Sequence, residues 1–282
     1  MIEQAKYTYA SVLTIAGSDS GGGAGIQADL KTFAALGCYG TSAITAITVQ
    51  NTLGVQEIHS VPPEIVAAQI RAVMDDIRPA AVKVGMVHTA ALATLIHATL
   101  KDYASVPVVF DPVMVSTSGH KLILDDTIAA LKTGLFVSAD LLTPNIDEAM
   151  LLSGRRIESL EDMLDAAELL LQLGCKAVLL KGGHLSGTIV HDVYATAEGL
   201  RAIFDAAHVK TANTHGTGCT LSAAIAAQLA LGNTFPEAIL QAKDYLQQAI
   251  EHGKDVTTGS GNGPLNHFFH PRAHQKYSLR RI

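Results

Sequence analysis

A short segment with small side chains lies directly before a long apolar run. Residues 214–219 read THGTGC and open a predicted helix. Gly216, Thr217 and Gly218 leave backbone N–H groups uncovered at the helix N-terminus, which is typical of an anion hole for a phosphoryl group. Cys219 lies in the first turn, where the helix dipole favours a thiolate that can accept a proton from a substrate hydroxyl. The alternative for Cys219 is a small buried side chain packed among alanines.

A second glycine-rich segment, GSDSGGGAG at residues 17–25, lies between a predicted strand and a predicted helix. Its glycines allow the backbone to approach a ligand closely, and the following helix offers free N–H groups. It is not a Walker A loop, because it contains no lysine. Residues 23–28 match a GxGxxA variant of the dinucleotide fingerprint, but the second strand ends in Gln50 and Asn51 rather than in a ribose-binding acid. The fingerprint is therefore incomplete.

Two polar residues near these glycines allow both a functional and a structural interpretation. Asp29 lies on the flank of the first predicted helix, where a carboxylate is costly unless it is paired. It either reaches solvent or a cap, or it serves a site, and the spacing favours neither. Gln50 ends the second predicted strand, and its amide can both donate to and accept from an aminopyrimidine or pyridine ring. On the residue pattern alone, a polar side chain in a turn is the better interpretation of Gln50.

Two more strand ends carry residues suited to metal and phosphate binding. Asn145 and Glu148 are three residues apart in a first helical turn, so their oxygens could hold Mg²⁺, usually through water. The pattern favours a helix-capping arrangement, which is compatible with a metal role. Lys181 follows a short apolar strand and precedes two glycines, so it can reach a phosphate as a point charge. On the residue pattern alone, an exposed lysine in a turn is the better interpretation of Lys181.

Short apolar runs alternate with longer amphipathic segments along almost the whole chain. Strands are predicted over Val12–Ala16, Thr41–Val49, Ala81–Val84, Val106–Phe110, Leu141–Leu142 and Ala177–Leu180, with a hairpin of Thr188–Ala195 and Leu200–Phe204 around Glu198-Gly199. Helices are predicted over Gly25–Leu36, Pro63–Ile77, Ala90–Leu100, Thr127–Leu135, Ile146–Leu152, Leu160–Leu173, Thr217–Leu231 and Pro236–His252. The alternation predicts an α/β fold, a doubly wound, mainly parallel sheet with helices on both faces. We expect one domain over residues 1–282, with an ordered core at about 11–256 and ligands at the carboxyl ends of the strands.

Composition excludes several classes of protein. The net charge of −6, without a basic stripe, argues against a nucleic-acid partner. Three widely spaced cysteines exclude a full disulfide framework and a CxxC zinc pattern, and they fit a reducing compartment. The N-terminus lacks the pattern of a signal peptide, and the most apolar stretch is too short to cross a bilayer, so we expect a cytoplasmic protein without a membrane partner. Three histidines near the C-terminus are expected on the surface rather than in a metal site: His267, His270 and His274.

Seven sequence blocks resemble, in this order, the hydroxymethylpyrimidine/phosphomethylpyrimidine kinases of thiamine biosynthesis, which belong to the ribokinase-like superfamily. The blocks are AGSDSGGGAGIQAD (16–29), TAITVQN (45–51), KVGM (83–86), DPVM (111–114), TPN (143–145), LKGGH (180–184) and HGTGC (215–219). The likeness extends from about Val12 to the PLNH tail at 264–267. Each block alone is modest, whereas their joint order is highly specific.

The resemblance implies two successive phosphorylations by ATP. The first converts 4-amino-5-hydroxymethyl-2-methylpyrimidine to its monophosphate, and the second converts the monophosphate to the diphosphate. Gln50 would then recognise the pyrimidine, with Met86 and Val113 lining its pocket. Asp29 would face the substrate side. A homodimer is also implied.

The same resemblance assigns the phosphate-handling residues. Asn145 and Glu148 would serve Mg²⁺ and phosphate, and Lys181 would bind the ATP phosphates. The segment Gly216–Cys219 would hold the phosphoryl group. Cys219 stands where the wider superfamily usually has an aspartate as general base.

Four alternative functions must be distinguished from this kinase activity. A pyridoxal/pyridoxine kinase of the same branch would use the same loops. A ribokinase-like sugar kinase fits less well, because Cys219 replaces the expected aspartate. The missing ribose acid argues against a nicotinamide-dependent oxidoreductase. A non-catalytic nucleotide-binding module would show no ATP turnover dependent on an alcohol.

Overall fold

The computed structural model describes residues 6–114, 122–124, 126–183, 185 and 187–278. His184, which ends the LKGGH block, lies outside the described residues. The strands are β1 (Tyr7–Tyr9), β2 (Ser11–Asp19), β3 (Tyr39–Asn51), β4 (Gly54–Ser60), β5 (Ala81–Val84), β6 (Val108–Phe110), β7 (Leu141–Leu142), β8 (Ala177–Leu180), β9 (Ile189–Thr196), β10 (Arg201–Ala207) and β11 (Lys276–Ser278). The helices are α1 (Gly25–Ala35), α2 (Pro63–Asp76), α3 (Ala90–Leu100), α4 (Thr127–Thr133), α5 (Leu135–Ser138), α6 (Ile146–Ser153), α7 (Leu160–Leu171), α8 (Thr217–Ala230) and α9 (Phe235–Glu251). Across the described ranges, no helix combines the length and apolar character needed to cross a membrane.

A nine-stranded sheet forms the centre of the part of the chain that the structure describes, in the order β10-β9-β8-β7-β6-β5-β2-β3-β4. The strands from β3 through β2 and β5 to β8 are parallel. Antiparallel strands flank them, with β4 at one edge and the β9–β10 hairpin at the other. β1 and β11 pair in a separate antiparallel ribbon. The predicted mainly parallel sheet is confirmed.

Helices cover both faces of the sheet because its central strands are apolar on both sides. On β2, Leu13 packs in the core with α2 to α7, whereas its neighbour Val12 packs in the core with α1, α8 and α9. On β6, Phe110 and Val109 divide between the two cores in the same way. Strands buried on both faces have continuous apolar sequences, which is why the pattern predicted a doubly wound fold.

The structure departs from the predicted elements in three places. The predicted helix Thr127–Leu135 is two helices, because Gly134 adopts φ −130° and ψ −84°, outside the helical region. The edge strand β4 was not predicted, since its sequence GVQEIHS has few apolar residues. The ribbon of β1 and β11 extends the structured chain beyond the predicted core of 11–256. The hairpin turn around Glu198-Gly199 is confirmed.

The C-terminal segment packs against α8 instead of lying free on the surface. His267 is buried, and its Nε2 lies 2.9 Å from Thr220 Oγ1, one residue after Cys219. The Tyr245 hydroxyl donates to the His267 carbonyl at 2.9 Å. Burial lowers the pKa of His267 to about 4, so the ring is neutral. The prediction that His267 is a surface residue is therefore wrong.

Candidate active site

The carboxyl ends of β2, β3, β5, β6, β7 and β8 open into one cavity of about 720 Å³. Parallel strands bring their carboxyl ends to the same edge of a sheet, so residues far apart in sequence meet there. The N-terminus of α8 forms part of the wall. The predicted site residues that line the cavity are Gln50, Met86, Val113, Asn145, Glu148, Lys181, Gly216, Thr217, Gly218 and Cys219.

Asp19 organises the glycine-rich loop around its carboxylate. The carboxylate accepts hydrogen bonds from the N–H groups of Gly21 at 2.7 Å, Gly23 at 3.0 Å and Ala24 at 2.8 Å. His215 Nε2 lies 3.0 Å from Asp19 Oδ2. Burial alone would raise the pKa of Asp19, but the bonds from His215 and the backbone outweigh it and hold the pKa below its usual value. The ionised carboxylate therefore ties the glycine-rich loop to the THGTGC segment.

The two glycine loops also touch through their backbones. Gly216 has φ +86°, and a Cβ there would collide with the carbonyl oxygen of Gly23. Glycine is thus required for both the left-handed conformation and the close approach. Gly216 is the N-cap of α8 and has no side chain with which to cap it. The Thr217 N–H donates to the Thr214 carbonyl at 3.3 Å, so the next N–H groups of the helix, those of Gly218 and Cys219, are the ones suited to a phosphoryl oxygen.

Cys219 lies in the first turn of α8 and is half-buried. Burial raises the pKa of its thiol to about 11, and the carboxylates of Asp29 and Asp111 act in the same direction. Lys83 lowers the pKa but does not offset these effects. These effects oppose the thiolate that the helix dipole favours, and the role of Cys219 as a base stays a prediction.

Lys181 forms an ion pair within the cavity with Asp111. Its Nζ lies 2.8 Å from Asp111 Oδ1. Thr143 donates to the same carboxylate at 3.1 Å and Ser222 at 3.3 Å. Burial opposes the charge on both partners, yet the pair holds the pKa of Lys181 above and that of Asp111 below its usual value. Both groups are charged at neutral pH.

This pair lies directly beside the anion hole. A Cβ placed on Gly218 would stand 3.2 Å from Lys181 Nζ and 3.6 Å from Asp111 Oδ2. Asp111 belongs to the DPVM block, and no role was predicted for it. Like Lys181, it directly follows a buried strand, and this position could have marked it as a site residue.

Asn145 and Glu148 form the predicted capping arrangement of α6. The Asn145 side chain accepts from the Glu148 N–H at 2.9 Å, and Glu148 Oε2 accepts from the Asn145 N–H at 2.9 Å. Glu148 Oε1 also accepts from the Met114 N–H at 3.3 Å. Burial and the nearby Asp111 carboxylate raise the pKa of Glu148 to about 7. The capping role is confirmed, and the metal role stays a prediction.

Asp29 does not face the cavity. Its side chain and that of Lys83 are both 0% exposed, and their charged atoms are 2.8 Å apart. Thr14 donates to the same carboxylate at 2.6 Å. The expectation that Asp29 faces the substrate side is therefore corrected: α1 packs this flank on the sheet, so the carboxylate pairs with Lys83 behind the cavity wall. Lys83 itself lines the cavity.

One end of the cavity combines an apolar wall with a polar edge. Met86 packs in a small cluster with Ala46 and Leu122, and Val113 packs against this cluster. The polar edge is made by the Gln50 amide, which contacts Thr48 Oγ1 and His215 Nε2. This arrangement suits a flat heterocycle, with apolar contacts on its face and hydrogen bonds on its rim.

The opposite end contains residues that the sequence reasoning missed. Asp192 on β9 forms a buried ion pair with Lys243 on α9, and it accepts from the Gly182 N–H at 2.8 Å. Val190 and Leu246 line the same cavity as this pair. No spacing in the sequence marks these residues, since they come from an antiparallel hairpin and a distant helix.

The sequence comparisons identify phosphomethylpyrimidine kinases, and the similar solved structures include pyridoxal kinases. Residues 19–266 match the family model described as phosphomethylpyrimidine kinase. The hydroxymethylpyrimidine/phosphomethylpyrimidine kinase of Rhizobium meliloti is 50% identical over 260 residues, covering 92% of this chain and 97% of the relative. The thiamine biosynthesis bifunctional protein ThiED of Geobacter sulfurreducens is 49% identical over 94% of this chain, which spans 53% of that longer protein. The pyridoxal kinase of Staphylococcus aureus, solved with AMP-PCP and pyridoxal, has a TM-score of 0.84 and 31% identity, covering 96% of this chain and 100% of that one.

Proposed function

Because the chain belongs to the phosphomethylpyrimidine kinase family, we propose that it phosphorylates 4-amino-5-hydroxymethyl-2-methylpyrimidine and then the resulting monophosphate, with ATP as the donor, in thiamine biosynthesis. The chain is a kinase with a ribokinase-like fold. The relatives named above supply the substrate class. The cavity supports it with an amide-edged apolar pocket at one end and an anion hole beside it.

The observation that carries this proposal is the continuity of the cavity. Contacts link its lining residues in series: Gln50 reaches His215, the Gly216–Cys219 segment that follows His215 adjoins Lys181, and Gly182 beside Lys181 donates to Asp192. A phosphoryl transfer enzyme must hold its acceptor and donor in line, and it gains most of its rate from position and charge. We assign the acceptor to the Gln50 end and the nucleotide to the Asp192 end.

The chain's own residues supply the electrostatic part of the transfer. Backbone N–H groups of Gly218 and Cys219 stabilise charge on the equatorial oxygens, and Lys181 adds a point charge beside them. The acceptor hydroxyl loses its proton late in a loose transition state. A thiol with a pKa of about 11 first orients this hydroxyl through a hydrogen bond, and its use as a base requires its own ionisation. Activity should then rise towards alkaline pH.

Mg²⁺ fits the carboxylates at the centre of the cavity. Among residues 6–114, 122–124, 126–183, 185 and 187–278, no group of three or more His, Cys, Asp or Glu forms a complete metal site. Mg²⁺ commonly uses only one or two carboxylates and takes its other ligands from phosphates and water. Glu148 and Asp111 are the carboxylates that would hold the ion, and Asn145 lines the cavity with them. When bound, the ion would neutralise charge on the nucleotide phosphates.

Product identification tests the proposal. The protein is incubated with Mg-ATP and the hydroxymethylpyrimidine, and products are followed by mass spectrometry. Successive appearance of the monophosphate and the diphosphate is the expected result. A monophosphate that never gains a second phosphate would limit the activity to the first step, and no product would reject the assignment.

Pyridoxal is the second candidate substrate. The structural similarity to the Staphylococcus aureus kinase, solved with pyridoxal, favours it. The residues that form the anion hole would serve either ring, so only the Gln50 end distinguishes the two substrates. If pyridoxal phosphate forms faster than the pyrimidine phosphate, the main activity of the chain is the phosphorylation of vitamin B6.

We further propose a homodimer located in the cytoplasm. The β3–β4 hairpin exposes Ile47, Val49 and Leu53, which a second copy could cover. All three cysteines are unpaired, which suits a reducing compartment. Light scattering after size exclusion tests the dimer: the expected mass is twice 29.6 kDa, and Leu53→Asp should lower it.

A further inference from the structure

The two ends of the Gln50 side-chain amide lie beside Thr48 and His215, and each neighbour limits which end can form a hydrogen bond with it. Gln50 Oε1 lies 3.0 Å from Thr48 Oγ1, and Gln50 Nε2 lies 3.3 Å from His215 Nε2. Amide oxygen and nitrogen are nearly the same size, so a half-turn about the Cγ–Cδ bond exchanges them without moving other atoms. The neighbours therefore decide which end faces which partner.

Thr48 can accept a hydrogen bond from Gln50. Its hydroxyl lies 2.9 Å from the Ser18 carbonyl oxygen, which can only accept. A hydroxyl has one proton, which Thr48 can donate either to the Ser18 carbonyl or to a Gln50 oxygen. When the Ser18 carbonyl takes this proton, the NH₂ group of Gln50 fits beside Thr48 Oγ1 and donates to the hydroxyl oxygen.

His215 requires an acceptor from Gln50. Its Nε2 lies 3.0 Å from Asp19 Oδ2, and a carboxylate whose pKa is held low cannot donate. Nε2 must therefore carry a proton, and it has no free lone pair for a second donor. The atom of Gln50 beside His215 must be the carbonyl oxygen, which shares this proton with Asp19.

We infer that Thr48 and His215 lock the Gln50 amide in one orientation, with its oxygen towards His215, and so make Gln50 selective for one order of donor and acceptor on the substrate ring. The His215 contact demands this orientation, and the Thr48 hydroxyl supports it by donating to Ser18, whereas the opposite orientation places two donors together at His215. The neighbouring Gln27 already matches both partners, since its oxygen accepts from the Asp19 N–H at 2.8 Å and its nitrogen donates to Ser18 Oγ at 2.8 Å.

The lock predicts discrimination between two pyrimidines of the same shape. A 4-amino ring presents an exocyclic donor beside the ring-nitrogen acceptor, whereas a 4-oxo ring presents an acceptor beside an N–H donor. A freely turning amide could serve both edges, but a locked amide mismatches one of them. This inference rests on the proposed function, in which Gln50 reads the 4-amino edge.

The test measures kcat/KM for the 4-amino and the 4-oxo forms of 5-hydroxymethyl-2-methylpyrimidine. The native chain should prefer the amino form by at least about 100-fold, because a mismatched pair leaves buried polar groups without partners. Thr48→Val and His215→Phe should each lower this preference about fivefold to tenfold. Thr48→Ser keeps the hydroxyl and serves as the matched control, with the native preference retained.

An NMR measurement decides the orientation independently of turnover. In ¹⁵N-labelled protein, the Gln50 NH₂ protons should show NOEs to the Thr48 methyl group and none to the His215 ring. NOEs to the His215 ring, or a Thr48→Val variant with the native preference and KM, would overturn the lock. If the chain phosphorylates neither pyrimidine, the proposed function fails while the NMR result still decides the orientation.

Discussion

Replacing Lys83 with methionine should leave the Asp29 carboxylate buried without its cation. Both side chains are 0% exposed in the native chain. Removing one partner of such a pair costs about 3–5 kcal/mol. Alternatively, Asp29 becomes protonated, which at pH 7 costs about 4 kcal/mol for a group whose ordinary pKa is 3.8. The two routes agree, so we expect Lys83→Met to lower the free energy of unfolding by about 4 kcal/mol at pH 7.

This loss should depend on pH in a defined direction. In Lys83→Met, the pKa of Asp29 in the folded state lies above its value in the unfolded chain, because burial favours the neutral acid. Stability is then fully present below the unfolded pKa and falls as pH rises towards the folded pKa. The difference between native protein and variant should be roughly 3 kcal/mol smaller at pH 5 than at pH 7.

Urea unfolding followed by far-UV circular dichroism measures both effects, since the chain has no tryptophan to report by fluorescence. Lys254→Met is a matched control, because its partner Glu251 and Lys254 itself are largely exposed, and it should leave the midpoint unchanged. A loss below about 1 kcal/mol for Lys83→Met, or the same loss at both pH values, would refute the buried-pair reasoning.

Three predictions concern the cavity. The rate of Cys219 alkylation by iodoacetamide should keep rising with pH above 9, because the thiol pKa is about 11; a plateau below pH 8 would show a thiolate in the native protein. Gln50→Ala should raise the pyrimidine KM about tenfold and leave the ATP KM unchanged, as measured by steady-state kinetics; an unchanged pyrimidine KM would remove Gln50 from recognition. Lys181→Met should lower kcat/KM at least about 100-fold, because it removes a charge beside the anion hole, and a native value would exclude Lys181 from the transfer.

The fold was predictable because its central strands are buried on both faces and are bounded by glycines and prolines. Ala81–Val84 and Ala90–Leu100 have the predicted bounds. The hydrophobic pattern does not predict elements or burial that depend on tertiary contacts. The polar strand β4 is held by pairing with β3, and His267 is buried by α8 and Tyr245. Neither contact can be read from the residues next to it in the sequence.

The candidate site was predictable to the extent that its residues follow strands or open helices. Gln50, Lys181 and Cys219 were found in this way, and all three line the cavity. The Asp192–Lys243 pair was missed, because it joins an antiparallel strand to a helix far away in sequence. The helix dipole at Cys219 is visible in the sequence, whereas the burial and the carboxylates that raise its pKa are visible only in the structure.

A competition assay tests the central claim most directly. The native chain receives Mg-ATP with hydroxymethylpyrimidine and pyridoxal at equal concentrations, and the initial rates of all phosphorylated products are measured together. We predict that the pyrimidine monophosphate forms much faster than pyridoxal phosphate and then gives the diphosphate. Preferential formation of pyridoxal phosphate, or no phosphorylated product, would contradict the assignment.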